Sequence, residues 1–276
     1  MVKRIISAAV GIVLAIAVLF LANTLIFNFA IAAISIIIVY ELLSAYKCLK
    51  FKFNCAVSFL FVAAMPFLLE IDNIIYRYIL GTLCVFLMFT GYIKQHKTMK
   101  LEKLCYIMMS TLLVSLSLGC LITLKDLSET HGVCYIILTL AGAWLGDSGA
   151  YFVGTFFGKH KLCPEISPKK TIEGAVGGVL TTGLIFGIYG YFYTIFQASR
   201  GIEFTTNYIE LIIIGMLCSS IGVIGDLTAS LIKRENSIKD FGNIMPGHGG
   251  LMDRFDSVLF VTPFMAMVLS YFVIFK

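Results

Sequence analysis

The chain has 276 residues, of which 59% are hydrophobic and only 13% charged, with a formal net charge of +5 and a mean hydropathy of +0.94. A soluble domain carries about 25% charged and about 45–50% apolar residues, so this composition leaves too little polar surface to cover a globule in water. It excludes a water-soluble enzyme, a disordered chain and a disulfide scaffold, and leaves an integral membrane protein with several spans.

A bilayer core about 30 Å thick needs roughly 20 apolar residues of helix. Nine segments meet that need, at approximately 4–22, 25–45, 54–70, 73–93, 104–123, 131–157, 174–198, 207–232 and 255–275. The expectation is an all-α polytopic membrane protein of about nine transmembrane helices, with its chemistry in loops or at span ends. The first segment is too long for a signal peptide and another span follows almost at once, so it reads as a retained helix. The third contains Pro66, and its neighbours must re-satisfy the backbone group that a proline frees. Content divides the chain into 1–130, N-terminal transmembrane helices without catalytic motifs, and 131–276, a C-terminal catalytic transmembrane region.

Basic residues give the orientation. With the N-terminus inside, the inner loops receive Lys3, Arg4, Lys47, Lys50, Lys52, Lys94, Lys97, Lys100, Lys103, Lys159, Lys161, Lys169, Lys170, Lys233, Arg234, Lys239 and Arg254. That is 17 of 21; Arg77, Lys125, Arg200 and Lys276 fall outside. The bias predicts a cytosolic N-terminus and an external C-terminus. The eight cysteines are scattered, mostly within spans, without a CxxC pair or a cluster with histidine, and read as small buried hydrophobes.

From Trp144 onward the polar content changes, and acids at membrane depth point to function. Asp147 lies in the inner half of the sixth span among small residues, which also serve plain helix packing. Ser167-Pro168-Lys169-Lys170-Thr171 then precedes Glu173-Gly174 at the start of the seventh span. Helix capping explains Glu173, but two lysines at a helix N-terminus oppose the dipole and favour an anionic ligand such as phosphate. The third cluster runs from Asp226 through Ser230, Lys233-Arg234, Lys239-Asp240 and Pro246-Gly247-His248-Gly249-Gly250 to Asp253-Arg254-Phe255-Asp256. If the ninth span starts near Gly250, Asp253 and Asp256 share one helix face. Two carboxylates so close repel unless a cation bridges them or one is protonated; hard oxygen ligands select Mg²⁺ or a similar cation, with Asp226 as a natural third ligand. Phosphoryl or nucleotidyl transfer at the cytosolic face is the implied chemistry. No GxxxxGK[ST] loop occurs, and no nucleic-acid partner is expected.

The run Ser230 to Asp256, with Lys-Arg, Lys-Asp, P-x-H-G-G and D-R-x-D at fixed intervals, resembles the signature of the CDP-diacylglycerol synthases, or phosphatidate cytidylyltransferases. The segments around Asp147 and Ser167–Gly174 resemble two further blocks of that family. Together the resemblance covers roughly residues 140–265. It implies transfer of CMP from CTP to phosphatidate, giving CDP-diacylglycerol and pyrophosphate, in a Mg²⁺-dependent homodimer often helped by K⁺. By position it implies Asp226, Asp253 and Asp256 at the metal and Lys170 as a catalytic phosphate contact. Asp147, Ser167, Lys169, Thr171, Lys233, Arg234, Lys239, Asp240, His248, Gly249, Gly250 and Arg254 would line the substrate site. Three positions depart from the pattern: Met245 for Leu, Ile or Phe, Ile172 for Trp, and Ala229 for a frequent Glu. The shortness of the chain favours a bacterial inner membrane. The rival reading is a CTP-dependent kinase or transferase acting on another membrane lipid; a transporter fits less well, because the acids cluster at one face and no repeat is evident.

Overall fold

The computed structural model describes residues 2–245, 247 and 249–275. In chain order the elements are α1 (Val2–Phe20), α2 (Leu25–Ala45), α3 (Lys52–Leu68), α4 (Ile75–Lys94), α5 (Leu101–Asp126), α6 (Gly132–Phe157), β1 (Lys161–Cys163), β2 (Ser167–Thr171), α7 (Ile172–Ala198), α8 (Tyr208–Glu235), α9 (Met252–Phe255) and α10 (Val258–Tyr271). Six of these, α2 and α4 to α8, are long and apolar enough to cross a membrane. Helices are what hydrocarbon permits, because each backbone group finds its partner within the segment. Hydroxyls are hidden the same way: Ser35, Thr139 and Thr262 each donate to the carbonyl four residues earlier, at 2.7 Å.

The chain divides into two compact units, and not by one cut at residue 130: Met1–Thr123 goes with Lys233–Phe255, and Leu124–Ile232 with Asp256–Lys276. In the first unit, α2, α3 and α4 pack in sequence. Asn28 on α2 donates to the Pro66 carbonyl at 2.9 Å, and Asn54 on α3 donates to the Met88 carbonyl on α4 at 2.9 Å. The end of α3 has carbonyls without intrahelical partners. Arg77 covers them, its guanidinium donating to Leu68, Leu69 and Ile71 oxygens at 3.1, 2.9 and 2.8 Å. Ile38, Val39, Leu43, Val62, Ile107 and Leu118 form the apolar interior.

In the second unit α6 lies directly against α7, and small residues make this possible. A Cβ on Gly178 would stand 2.5 Å from the Gly146 oxygen, and one on Gly174 would stand 2.7 Å from the Ala150 oxygen. Gly174 and Gly178, four apart on α7, face Gly146 and Ala150, four apart on α6, so the two backbones approach as in other small-residue helix pairs. At the N-terminal end of α6, His131 Nδ1 meets the Tyr193 hydroxyl at 2.8 Å within the rings of Tyr135, Phe204 and Phe275.

Three features differ from an all-α bundle of nine full spans. The expected third span is a helix of 17 residues and the expected ninth one of 14. The ninth is short because the helix breaks at Asp256-Ser257, and beyond Tyr271 the strand-like tail pairs back, Asn207 N–H donating to the Ile274 oxygen at 3.1 Å. The third difference is the antiparallel hairpin of β1 and β2, paired Lys161 with Thr171 and Cys163 with Ser167.

Candidate active site

In the second unit the hairpin delivers one lysine into a pair of acids. Strand residues alternate between faces, so adjacent Lys169 and Lys170 diverge: Lys169 is exposed, whereas Lys170 is partly buried. Thr171 ends the strand and caps α7, its Oγ1 accepting from Gly174 N–H at 3.1 Å. Glu173, in the first turn of α7, holds the other end of the hairpin. Its carboxylate accepts the Lys159 and His160 N–H groups at 3.1 and 3.2 Å and meets His160 Nδ1 at 2.6 Å. With both ends fixed, Lys170 Nζ forms a close ion pair with Asp226 on α8 and a longer one, 3.7 Å, with Asp147 on α6. The charge that opposes the helix dipole at this N-terminus is therefore offset by two carboxylates of the chain itself.

Asp256 belongs to the same unit and is buried. Its Oδ1 accepts the Ser257 N–H at 2.7 Å, and the Ser257 hydroxyl donates to the Gly222 oxygen at 3.1 Å. Only a glycine fits at 225, because a Cβ there would stand 2.7 Å from the Asp256 carbonyl oxygen. Asp256 thus lies beside the turn of α8 that carries Asp226. Ala229, one turn further on, is fully packed at 1% exposure, which leaves no open space for the glutamate that the resemblance leads one to expect there.

In the first unit Asp253 organises the signature loop. Its Oδ1 accepts from Lys233 Nζ at 2.8 Å, and its Oδ2 accepts the N–H groups of Phe241 and Gly250 at 2.9 and 3.0 Å. Gly249 sits at φ +87°, a conformation natural to glycine, and its carbonyl accepts from Met245 N–H at 3.0 Å. Arg234, Lys239, Asp240 and Arg254 are exposed around this loop. His248 and Pro246, singled out in the sequence, lie outside the described residues, as does Lys276.

The shared helix face expected for Asp253 and Asp256 is not formed. Asp253 lies in the four-residue α9, and Asp256 follows its end, in the break before α10. Ser167, Lys169 and Thr171 do share the hairpin with Lys170. Sequence reasoning missed two partnerships. One is the pairing of Lys170 with both Asp147 and Asp226. The other is Glu41 of α2, whose carboxylate accepts the Leu251 and Met252 N–H groups at 3.0 and 2.7 Å. A single acid in an otherwise apolar span was the available signal for Glu41.

Among the described residues, no three His, Cys, Asp or Glu side chains gather as a metal-binding group. The donor chemistry nevertheless suits a divalent cation. Asp147 and Asp226 converge on one cationic position, that of the Lys170 ammonium, with the hard oxygen donors that Mg²⁺ prefers.

Comparison with known proteins places these residues in a family. A phosphatidate cytidylyltransferase of Bacillus subtilis (strain 168) is 38% identical over 188 residues, which are 68% of this chain and 66% of that one. Phosphatidate cytidylyltransferases of Staphylococcus haemolyticus (strain JCSC1435) and Staphylococcus aureus (strain COL) are 42% and 40% identical over 142 residues, 51% of each chain. The matched stretch thus spans from about half to just under two thirds of the length of these relatives. The sequence profile of the cytidylyltransferase family reaches further, over residues 2–272, and takes in the hairpin, Asp147, Asp226, Asp253, Asp256 and the signature loop; the chain belongs to the cytidylyltransferase family.

Proposed function

We propose that this protein transfers CMP from CTP to phosphatidate, releasing pyrophosphate and forming CDP-diacylglycerol for phospholipid synthesis. The observation that carries the reading is Lys170, a lysine held between two acids at a membrane boundary, in a chain of this family. An ammonium has three N–H donors; the close pair with Asp226 takes one, and Asp147 at 3.7 Å is an ion-pair neighbour rather than an acceptor, which leaves donors for phosphate oxygens. Lys170 would offset charge on the α-phosphate and on departing pyrophosphate, while the acids fix its direction. No protein nucleophile is needed, because the phosphatidate phosphate monoester is already an anion at neutral pH. Its oxygen attacks the α-phosphorus of CTP in line with the leaving pyrophosphate, and holding the two anions in register supplies most of the acceleration. Ser167, Lys169, Thr171, Lys233, Arg234, Lys239, Asp240, His248, Gly249, Gly250 and Arg254 would bind and orient the substrates.

The signature acids Asp226, Asp253 and Asp256 would hold Mg²⁺, with K⁺ as second cation. Bound there, Mg²⁺ would neutralise phosphate oxygens as a Lewis acid. Asp147 adds a further oxygen donor to this proposal. The enzyme would act as a homodimer in a bacterial cytoplasmic membrane with its site facing the cytosol, where CTP is found.

Pyrophosphate release by purified protein in detergent tests the reading. Release from CTP but not ATP, dependent on phosphatidate and abolished by a chelator, is the expected result. Transfer of the terminal phosphate of CTP to lipid, without pyrophosphate, would replace this reading by a lipid kinase.

A further inference from the structure

We infer that Glu41, on the second helix and some 200 residues from the signature, is a positioning residue that sets the signature loop for turnover. The activity part of this inference rests on the function proposed above.

Glu41 is the one charged residue of α2 and is 1% exposed. A buried carboxylate is costly unless hydrogen bonds replace its water, so an acid retained in an apolar helix needs a task. Its task here is specific. Oε1 accepts the Leu251 N–H at 3.0 Å and Oε2 accepts the Met252 N–H at 2.7 Å. The preceding N–H, that of Gly250, goes to Asp253 Oδ2 at 3.0 Å. Three successive N–H groups, at 250, 251 and 252, therefore end on two carboxylates, one from inside the loop and one from the N-terminal part of the chain.

Glycines allow the approach. A Cβ on Gly250 would stand 2.6 Å from either Glu41 oxygen, and one on Gly242 would stand 2.8 Å from the Glu41 Cδ. Both strands of the loop thus rest on this carboxylate. The N–H groups it takes open the short helix α9, which carries Asp253 and Arg254. Helix-opening N–H groups have no intrahelical partner, so without Glu41 that turn loses its anchor and the two signature side chains lose their direction. Glu41 touches no reacting group in this scheme; it acts through the backbone of residues 250–252.

The test compares Glu41→Gln, Glu41→Asp and a neighbouring packing control, Leu42→Ala, in the full-length protein in detergent. Glutamine keeps the shape but turns one acceptor toward an N–H as a donor; aspartate keeps the charge one methylene short. Hydrogen exchange of the Leu251 and Met252 amides is read first, because it needs no activity. In Glu41→Gln these amides should exchange about tenfold faster, as the loss of one buried acceptor implies. With CTP and phosphatidate, kcat should fall about 10- to 100-fold with KM for CTP nearly unchanged, the signature of misplacement rather than lost binding. Glu41→Asp should recover part of both, and Leu42→Ala should lower thermal stability while keeping kcat per folded molecule.

Unchanged amide protection in Glu41→Gln, or a retained kcat, overturns the inference. So does a loss of activity fully matched by loss of folded protein in both Glu41 variants. Absence of cytidylyl transfer by the wild-type protein would instead defeat the proposed function, and the exchange comparison would still decide the role of Glu41.

Discussion

Lys170 has two acidic partners that differ in distance and exposure, and the difference orders the effects of removing them. Asp226 is in close contact and 21% exposed at its side chain, whereas Asp147 is 3.7 Å away and 48% exposed. Asp226→Asn should lower kcat about 100-fold, the scale of a misplaced catalytic group. Asp147→Asn should cost no more than about fivefold, as expected of a solvent-screened pair. Steady-state rates of the two variants check this ordering, and equal losses would contradict it. Asp253 works differently, since it holds Lys233 and two backbone N–H groups with only 5% of its side chain exposed. Asp253→Ala leaves a buried cation unpaired and should cost about 3–5 kcal/mol, whereas Lys233→Met with Asp253→Leu should be closer to wild type. Thermal melts in detergent would settle it; a double variant as unstable as the single one would go against the account. The sequence made each of these side chains visible as chemistry-bearing. It could not show which acid meets which base, because Asp147, Lys170 and Asp226 come from three elements separated by many residues.

Helices were the most legible level, because long apolar runs admit few other structures in a bilayer. The hairpin at 161–171 was not legible: its strands are short and polar, and what fixes them is Glu173 reaching back to Lys159 and His160. The break at Asp256-Ser257 was also hidden, since two polar residues at the edge of an apolar run are equally compatible with a helix end and a helix continuation, and what makes the break is Asp256 taking the Ser257 N–H. The α6–α7 contact yields a prediction at this scale. Gly178→Val should push the helices apart, since even a Cβ would stand 2.5 Å from the Gly146 oxygen. The expected loss is about 1–3 kcal/mol from overpacking, with a fall in activity because α6 and α7 carry Asp147 and the cap of the Lys170 strand. A melt and a rate measurement unchanged from wild type would contradict that packing.

For the whole molecule, the basic residues predict the inner face, and with it which loops should be reached from each side. Seventeen of 21 lysines and arginines were assigned inside. In intact cells a membrane-impermeant thiol reagent should label Ser199→Cys, in the loop after α7, and spare Ser237→Cys, in the signature loop; the reverse pattern would invert the proposed topology. The compact units add something that motif reading did not suggest. The signature loop 233–255 clusters with the N-terminal helices, which is why a region without recognisable motifs contributes Glu41 to it. A division by motif content at residue 130 could not anticipate this, because apolar helices announce their length and not the loop they will hold.

In the proposed reaction Lys170, oriented by the acids of α6 and α8, serves cytidylyl transfer to a lipid phosphate. Label transfer from α-³²P-CTP into phosphatidate, by the wild-type protein and by Lys170→Met at matched folded amounts, tests it most directly. Labelled CDP-diacylglycerol with the wild type, and a loss of about 100-fold or more in the variant, is the expected result. Equal labelling by both proteins, or label entering lipid only from the γ-position of CTP, would contradict it.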